Sequence, residues 1–314
     1  MKVLFHHRCG DWLRRRFAEL AAEGLEVAVC DGGDEAGFRR LLADTEVLWH
    51  VLTPVTADHL AAAPRLRLVQ KIGVGVNTID LEAAAARGVA VCNMPGTNSR
   101  AVAEMTLLLM LACLRRLVVF DRLTRRGEGW DWPLSLEGEL GELAGRTVGL
   151  AGMGAVPRLL APVLEAMGAE VIYTARHRHR DVPWRWCEKS ELLARAEILS
   201  LHVPLTPETA GWLDVRAMAA MRPGAILINT ARGGLVDEAA LLRHLASGRI
   251  AAAGLDVFAE EPVAPDHPLL AMENVVCAPH LAWFTTGTVA RSLEVAVENC
   301  RRLADGRPLL HRVV

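Results

Sequence analysis

The sequence predicts an α/β chain made of two doubly wound parallel-sheet domains. Short β-rich runs alternate with helical patterns from end to end, the arrangement that builds parallel sheets flanked by helices. The 314 residues are more than one hydrophobic core comfortably serves. The alternation is interrupted once, by a long apolar helix and a polar Gly- and Trp-containing stretch, "RRGEGWDWPLSLEGELGELAGR".

Taken in order, the strands of the first domain are "KVLFHH", "LEVAVCD", "VLWHVL", "LRLVQKI" and "VAVCNM", with helices between them. "PGTNSRAVAEMTLLLMLACLRRL" then predicts one helix over residues 99–123, apolar all round and therefore buried on several sides by a domain or subunit interface. Six strands follow, "TVGLAG", "EVIYTA", "ILSLHV", "AILINT", "AAAGLDVF" and "NVVCAP". A last helix over residues 286–305 has no strand after it and is placed to cross back to the first domain. The expected domains are thus 1–95 plus 287–314, and 96–286.

Composition excludes several functions. With 35 basic and 37 acidic side chains there is no global pull toward nucleic acid or an acidic membrane. The seven cysteines form no CxxC pair and no Cys/His spacing suited to zinc, so they read as reduced thiols and no metal is expected. The first residues have the wrong order for a secretory signal. The most apolar helix is interrupted by Arg115 and Arg116 and is too short to span a bilayer. A cytoplasmic protein is the expectation.

"TVGLAGMGAVPRLL" reads as strand, glycine turn and helix. Gly152, Met153 and Gly154 allow a tight turn and bring the backbone N–H groups that open the helix, with Ala155 and Val156, close to a pyrophosphate. Pro157 replaces the third glycine of GxGxxG and is tolerated in a first helical turn, whereas Pro162 should kink the helix. The end of the next strand, where an acid usually binds the ribose hydroxyls of NAD, carries Ala175 followed by Arg176 and "HRHR". A small residue and cationic neighbours make room for a 2′-phosphate, so NADP(H) is the preferred cofactor, with NAD(H) possible. The alternative is a solvated basic loop.

Three further residues sit where strands end: Arg232 after "INTA", Glu261 after "LDVFAE" and His280 after "VVCAP". Together with "QKIGVGVNTIDLEAAAARGVAVCNMPGTNSRAVAE", these segments resemble the D-isomer-specific 2-hydroxyacid dehydrogenase family over nearly the whole chain. The resemblance implies a flavodoxin-like substrate domain and a Rossmann dinucleotide domain with a cleft between them. It also implies Arg232, Glu261 and His280 as the catalytic residues, Glu260 being the rival acid. The chemistry suits these types: hydride delivered to a 2-oxo carbon builds charge on its oxygen, which a His protonates while Arg grips the carboxylate and carbonyl and Glu holds the imidazole.

By the same resemblance, Asp256 contacts the nicotinamide carboxamide or else caps a loop, and His202, Val203, Pro204, Thr209, Thr230 and Ala231 line the cofactor along the strand ends. Leu52, Val74, Gly75 and Trp283, with Arg232, form the substrate pocket. Asn77 stands where relatives often have Asp. His6, His7 and Arg8 end the first strand, facing either the cleft or solvent. The implied activity is reduction of small 2-oxo acids, glyoxylate or hydroxypyruvate, to 2-hydroxy acids, by a two-fold homodimer built on the helix at 99–123 and the Trp130/Trp132 segment. A dinucleotide-sensing corepressor, or a dehydrogenase acting on formate or phosphite, is the competing reading.

Overall fold

In the unit formed by Met1–Asn98 with Thr285–Val314, β1 (Lys2–His6), β2 (Glu26–Cys30), β3 (Val47–His50), β4 (Leu68–Lys71) and β5 (Ala90–Cys92) pair in parallel in the order β2-β1-β3-β4-β5. That order is flavodoxin-like and places its switch point between β1 and β3. Every residue of β3 and β4 is buried, as expected for a parallel sheet covered on both faces. The cover comes from α1 (Asp11–Ala21), α2 (Glu35–Leu42), α3 (Ala57–Ala61), α4 (Leu81–Ala86) and the final helix, α12 (Thr286–Ala304). Buried Asn299 of α12 donates to Gln70 Oε1 (2.6 Å) and accepts from Leu310 N–H (2.7 Å), locking the helix to this sheet. The last residues pair with β5 through Val313 N–H to Val91 O at 2.7 Å, covering an edge that would otherwise be open.

His6 is not a solvated strand end. Its ring is buried and stacked on Phe38, with centroids 3.7 Å apart. Loss of hydration lowers its pKa to about 4, so the imidazole is neutral at pH 7. His7 is half-buried and Arg8 exposed.

The second unit, Ser99–Phe284, holds β6 (Thr147–Ala151), β7 (Glu170–Thr174), β8 (Arg185–Trp186), β9 (Ile198–Leu201), β10 (Ala225–Asn229), β11 (Ile250–Leu255) and β12 (Val275–Cys277), all parallel, in the order β12-β11-β10-β9-β6-β7-β8. The helices are α5 (Ser99–Leu114), α6 (Leu117–Arg125), α7 (Ala155–Ala166), α8 (Lys189–Arg195), α9 (Val215–Ala220), α10 (Glu238–Ala246) and α11 (Pro268–Ala271). The computed structural model describes residues 1–314, and no helix is long and apolar enough to cross a membrane.

Two local expectations need correction. There are seven strands in this unit, because β8 adds a two-residue edge beside β7, too short to show any periodicity. The helix at 99–123 is two helices: Arg116 adopts a left-handed backbone (φ 49) between them and turns its side chain inward to Glu139 and the Glu273 carbonyl. Pro162 lies inside α7 without ending it. It is exposed, and its ring costs the helix one backbone hydrogen bond.

Candidate active site

The ends of β10, β11 and β12 are tied to one another before any side chain is considered. Asp256 N–H donates to Asn229 O (3.0 Å), Ala278 N–H to Leu255 O (2.8 Å) and His280 N–H to Asp256 O (2.7 Å). His280 has a left-handed backbone (φ 56), uncommon for a residue with a Cβ. The Asp256 carboxylate holds it there by accepting from the next two N–H groups, Leu281 (2.8 Å) and Ala282 (2.9 Å). Asp256 is therefore a loop anchor in this unit. Burial raises its pKa, against the pull of those two bonds and the His280 charge.

This backbone brings the His280 ring to Glu261: Nδ1 lies 2.6 Å from Oε2. The other oxygen, Oε1, accepts from Phe258 N–H at 3.0 Å, so the carboxylate is oriented at both ends. Burial alone would raise the Glu261 pKa. The His280 hydrogen bond and charge, the Phe258 N–H and the Arg232 charge outweigh it, and the group stays ionised at neutral pH. With Nδ1 held by a carboxylate, Nε2 is the nitrogen left to meet a reactant. Glu260 is exposed and makes no hydrogen bond or ion pair, which leaves Glu261 as the acid that pairs with the histidine.

Arg232 follows β10 with its carbonyl held by Asn229 Nδ2 (2.9 Å) and its Nη1 donating to Ala231 O (2.6 Å). Burial lowers its pKa and Glu261 opposes that shift, yet a guanidinium does not deprotonate in a protein. Gly233 beside it lets two loops touch: a Cβ there would lie 1.9 Å from Phe258 C and O. A feature absent from the sequence reading is Glu238, whose Oε1 accepts Ala259 N–H at 2.7 Å. Its partner is 21 residues away, beyond any local pattern.

The glycine turn lies at the ends of β6, β7 and β9. Gly152 has φ 106, and a Cβ would meet His202 O at 2.8 Å, so only glycine fits there on both counts. Its N–H donates to Thr174 O (2.8 Å), and His202 N–H donates to Ala151 O (2.8 Å). This is the switch point of the sheet, where a doubly wound fold binds its ligand. Gly154 caps α7. The N–H groups of Ala155 and Val156 precede the first intrahelical bond and have no acceptor, and Pro157 brings none. Met153 is buried. A bound pyrophosphate fits these donors and the open space beside Gly154, where an added Cβ would meet nothing within 4 Å.

Around the turn, His202 Nε2 meets Ser200 Oγ (2.9 Å), and burial lowers its pKa to about 4. Thr209 Oγ1 ties its own loop by donating to Pro204 O (2.6 Å) and accepting from Thr206 N–H (2.8 Å), while Val203 is half-buried. Buried Thr230 Oγ1 pairs with Thr106 Oγ1 of α5 at 2.9 Å, and Ala231 N–H donates to Asn229 Oδ1 at 3.0 Å.

The basic loop after β7 is held from beneath by the chain's single tyrosine. Fully buried Tyr173 accepts His179 N–H (2.9 Å) and donates to His179 O (3.2 Å). The Ala175 carbonyl accepts from Trp186 Nε1 (3.2 Å). Arg176, His177, Arg178 and Arg180 are exposed. The nearby acid, Asp181, is occupied by Arg158 of α7 in a two-pronged pair at 2.7 and 3.2 Å. Glu208 is the other acid: its pKa is lowered by the Thr206 hydroxyl first and by the charge of Arg176 among lesser causes.

In the first unit, the 73–78 loop follows β4. Gly73 has φ 146 and its carbonyl accepts Met94 N–H (2.8 Å), while the Val74 carbonyl accepts from Asn93 Nδ2 (2.9 Å). Val74 is exposed and Leu52 and Gly75 half-buried. Trp283, in the second unit, packs edge-on against Phe284 with centroids 5.1 Å apart.

Residues 107–282 match the model of the D-isomer specific 2-hydroxyacid dehydrogenase NAD binding domain. The chain belongs to the D-isomer-specific 2-hydroxyacid dehydrogenase family. Among its relatives, a glyoxylate reductase of Aeropyrum pernix is 39% identical over 302 residues, covering 92% of this chain and 90% of the relative. A D-3-phosphoglycerate dehydrogenase of Mycobacterium tuberculosis is 40% identical over 90% of this chain, which spans only 53% of that enzyme's length. A crystallised protein of Thermus thermophilus superposes with a TM-score of 0.91 at 38% identity, each chain covered in full. The second unit is thus the Rossmann domain of a 2-hydroxyacid dehydrogenase, an oxidoreductase that binds a nicotinamide dinucleotide.

Proposed function

We propose that this dehydrogenase is an NADPH-preferring reductase of small 2-oxo acids, glyoxylate and hydroxypyruvate first among them, with His280 as proton donor. The observation that carries the reading is the 2.6 Å contact between His280 Nδ1 and Glu261 Oε2. The carboxylate fixes the ring through Nδ1, leaving Nε2 to deliver a proton to the oxygen that gains charge. Arg232 neutralises that charge and pairs with the substrate carboxylate. Reduced nicotinamide supplies the hydride when bound. The open N–H groups of Ala155 and Val156 and the open space beside Gly154 would take its pyrophosphate. The glyoxylate reductase of Aeropyrum pernix supports the substrate class.

Three features support NADPH over NADH: no acid stands at Ala175, Arg176 and Arg178 are exposed, and Asp181 is neutralised by Arg158. Initial rates with NADPH and NADH, using glyoxylate, hydroxypyruvate and pyruvate, test this directly. NADPH is expected to be preferred by roughly 10- to 100-fold, the worth of one charge-assisted bond, and Arg176→Ala should collapse the preference. Equal rates with both cofactors would return the loop to being a solvated one.

The functional enzyme is further proposed to be a homodimer. Trp130 (91% exposed), Leu134 (77%), Val118 (53%) and Leu117 (52%) leave a large apolar surface around α6 and the segment after it. Such surface marks a protein interface. Sedimentation at micromolar concentration should give a dimer, and a monomer would refute the assignment.

A further inference from the structure

The segment that carries Glu261 is itself held by a second carboxylate. Glu238, the first residue of α10, reaches it with both oxygens. Oε1 accepts the Ala259 N–H at 2.7 Å, two residues before Glu261, and Oε2 lies 3.5 Å from His267 Nε2 at the far end of the same segment. The tautomer of His267 follows from its other nitrogen. Nδ1 accepts the Leu269 N–H that opens α11 (3.4 Å), so the proton of the neutral ring sits on Nε2, directed at Glu238. The carboxylate side chain is 16% exposed and that of His267 23% exposed, which partly shields the contacts from water. The base of the clamp is fixed in turn, because Asp237 caps α10 by accepting Ala240 N–H at 2.9 Å.

The two carboxylates divide the work on one loop. Glu261 takes the Phe258 N–H and the His280 ring, while Glu238 takes the next N–H along, that of Ala259. Without Glu238, Ala259 N–H has no protein acceptor, and the backbone between Phe258 and Glu261 loses that hydrogen bond. A carboxylate that must meet an imidazole nitrogen at 2.6 Å tolerates little displacement, since a shift of about 1 Å in a catalytic group is worth up to roughly 100-fold in rate.

We propose that Glu238 is a positioning residue for the Glu261–His280 pair, acting through its hydrogen bond to Ala259 N–H and touching neither substrate nor cofactor. The inference rests on the assignment of that pair as the proton-delivering unit. Glu238→Ala should lower kcat by roughly 10- to 100-fold while the Kd for NADPH, read by cofactor fluorescence, stays within about two-fold. Glu238→Gln, which keeps an oxygen for Ala259 N–H and gives up only the charge opposite His267, should recover kcat to within about three-fold of the parent. In a Glu261→Gln background, adding Glu238→Ala should cost less than about two-fold more, because residues that act as a unit do not add. Full additivity in that background, a Gln variant no better than Ala, or an Ala variant with parental kcat would each overturn the proposal. Glu261→Gln alone retaining the parental rate would instead bring down the underlying assignment of the pair, and this positioning role with it.

Discussion

Replacing His280 with Ala is expected to lower kcat for 2-oxo acid reduction by roughly 10²- to 10⁴-fold, the range that a general acid contributes, with NADPH affinity changed by less than about three-fold. The affinity should survive because the glycine turn lies at the ends of β6, β7 and β9, whereas His280 follows β12 at the other end of the sheet order. The loop should survive as well. Asp256 grips it through the N–H groups of Leu281 and Ala282 and through its own carbonyl at residue 280, none of which involves the imidazole. Alanine must adopt the same left-handed backbone (φ 56), which histidine tolerates somewhat better than alanine, a small cost beside the three anchoring bonds. Steady-state kinetics beside a cofactor titration decide the matter. A kcat within about five-fold of the parent would remove His280 from proton transfer, and a collapse of cofactor binding would mean that the side chain serves the fold. Adding Glu261→Gln to His280→Ala should cost almost nothing further, since the carboxylate then has no ring to orient.

Why the placement of these residues was legible in the sequence is a matter of topology. In a parallel sheet every strand delivers its following residue to the same edge, so "INTAR", "VFAEE" and "APH" need only be recognised as strand ends to be grouped. The apolar runs of β3, β4 and β10 announced themselves because they are buried on every residue. What failed to show was structure made by partners distant in sequence. The break between α5 and α6 is set by Arg116 turning toward Glu139 and Glu273, a preference no helical periodicity contains. His6 looks like a polar strand end until Phe38 is found stacked on it. The loop "ARHRHR" reads as uniformly basic, yet Tyr173 pins the backbone of His179 and Arg158 cancels Asp181, two partners the local pattern does not announce. Glu238 looks like an ordinary first-turn acid in α10, and its second use at Ala259 depends on how β11 runs beside β10.

Gly233→Ala is expected to lower kcat at least about 100-fold and to cost roughly 1–3 kcal/mol of stability. The added methyl would lie 1.9 Å from Phe258 C and O and 2.4 Å from Ala259 N. All three are backbone atoms, so no side chain can swing aside. The strain is steric, since Gly233 has no left-handed φ. Relief requires the 258–259 segment to retreat by more than about 1 Å before van der Waals contact is restored. That segment supplies the Phe258 N–H that orients Glu261 and the Ala259 N–H that Glu238 holds, so the retreat is transmitted to the carboxylate facing His280. Gly234→Ala is the matched control. Its Cβ would meet only the Leu205 side chain, at 3.1 and 3.4 Å, and leucine methyls can rotate away, so kcat should stay within about three-fold of the parent. Thermal unfolding and kcat measured on both variants separate the two sites. A Gly233→Ala enzyme with parental kcat would show that the two loops part without disturbing Glu261. Equal losses in both variants would mean that the whole 233–235 turn, and not its contact with Phe258, sets the geometry at His280.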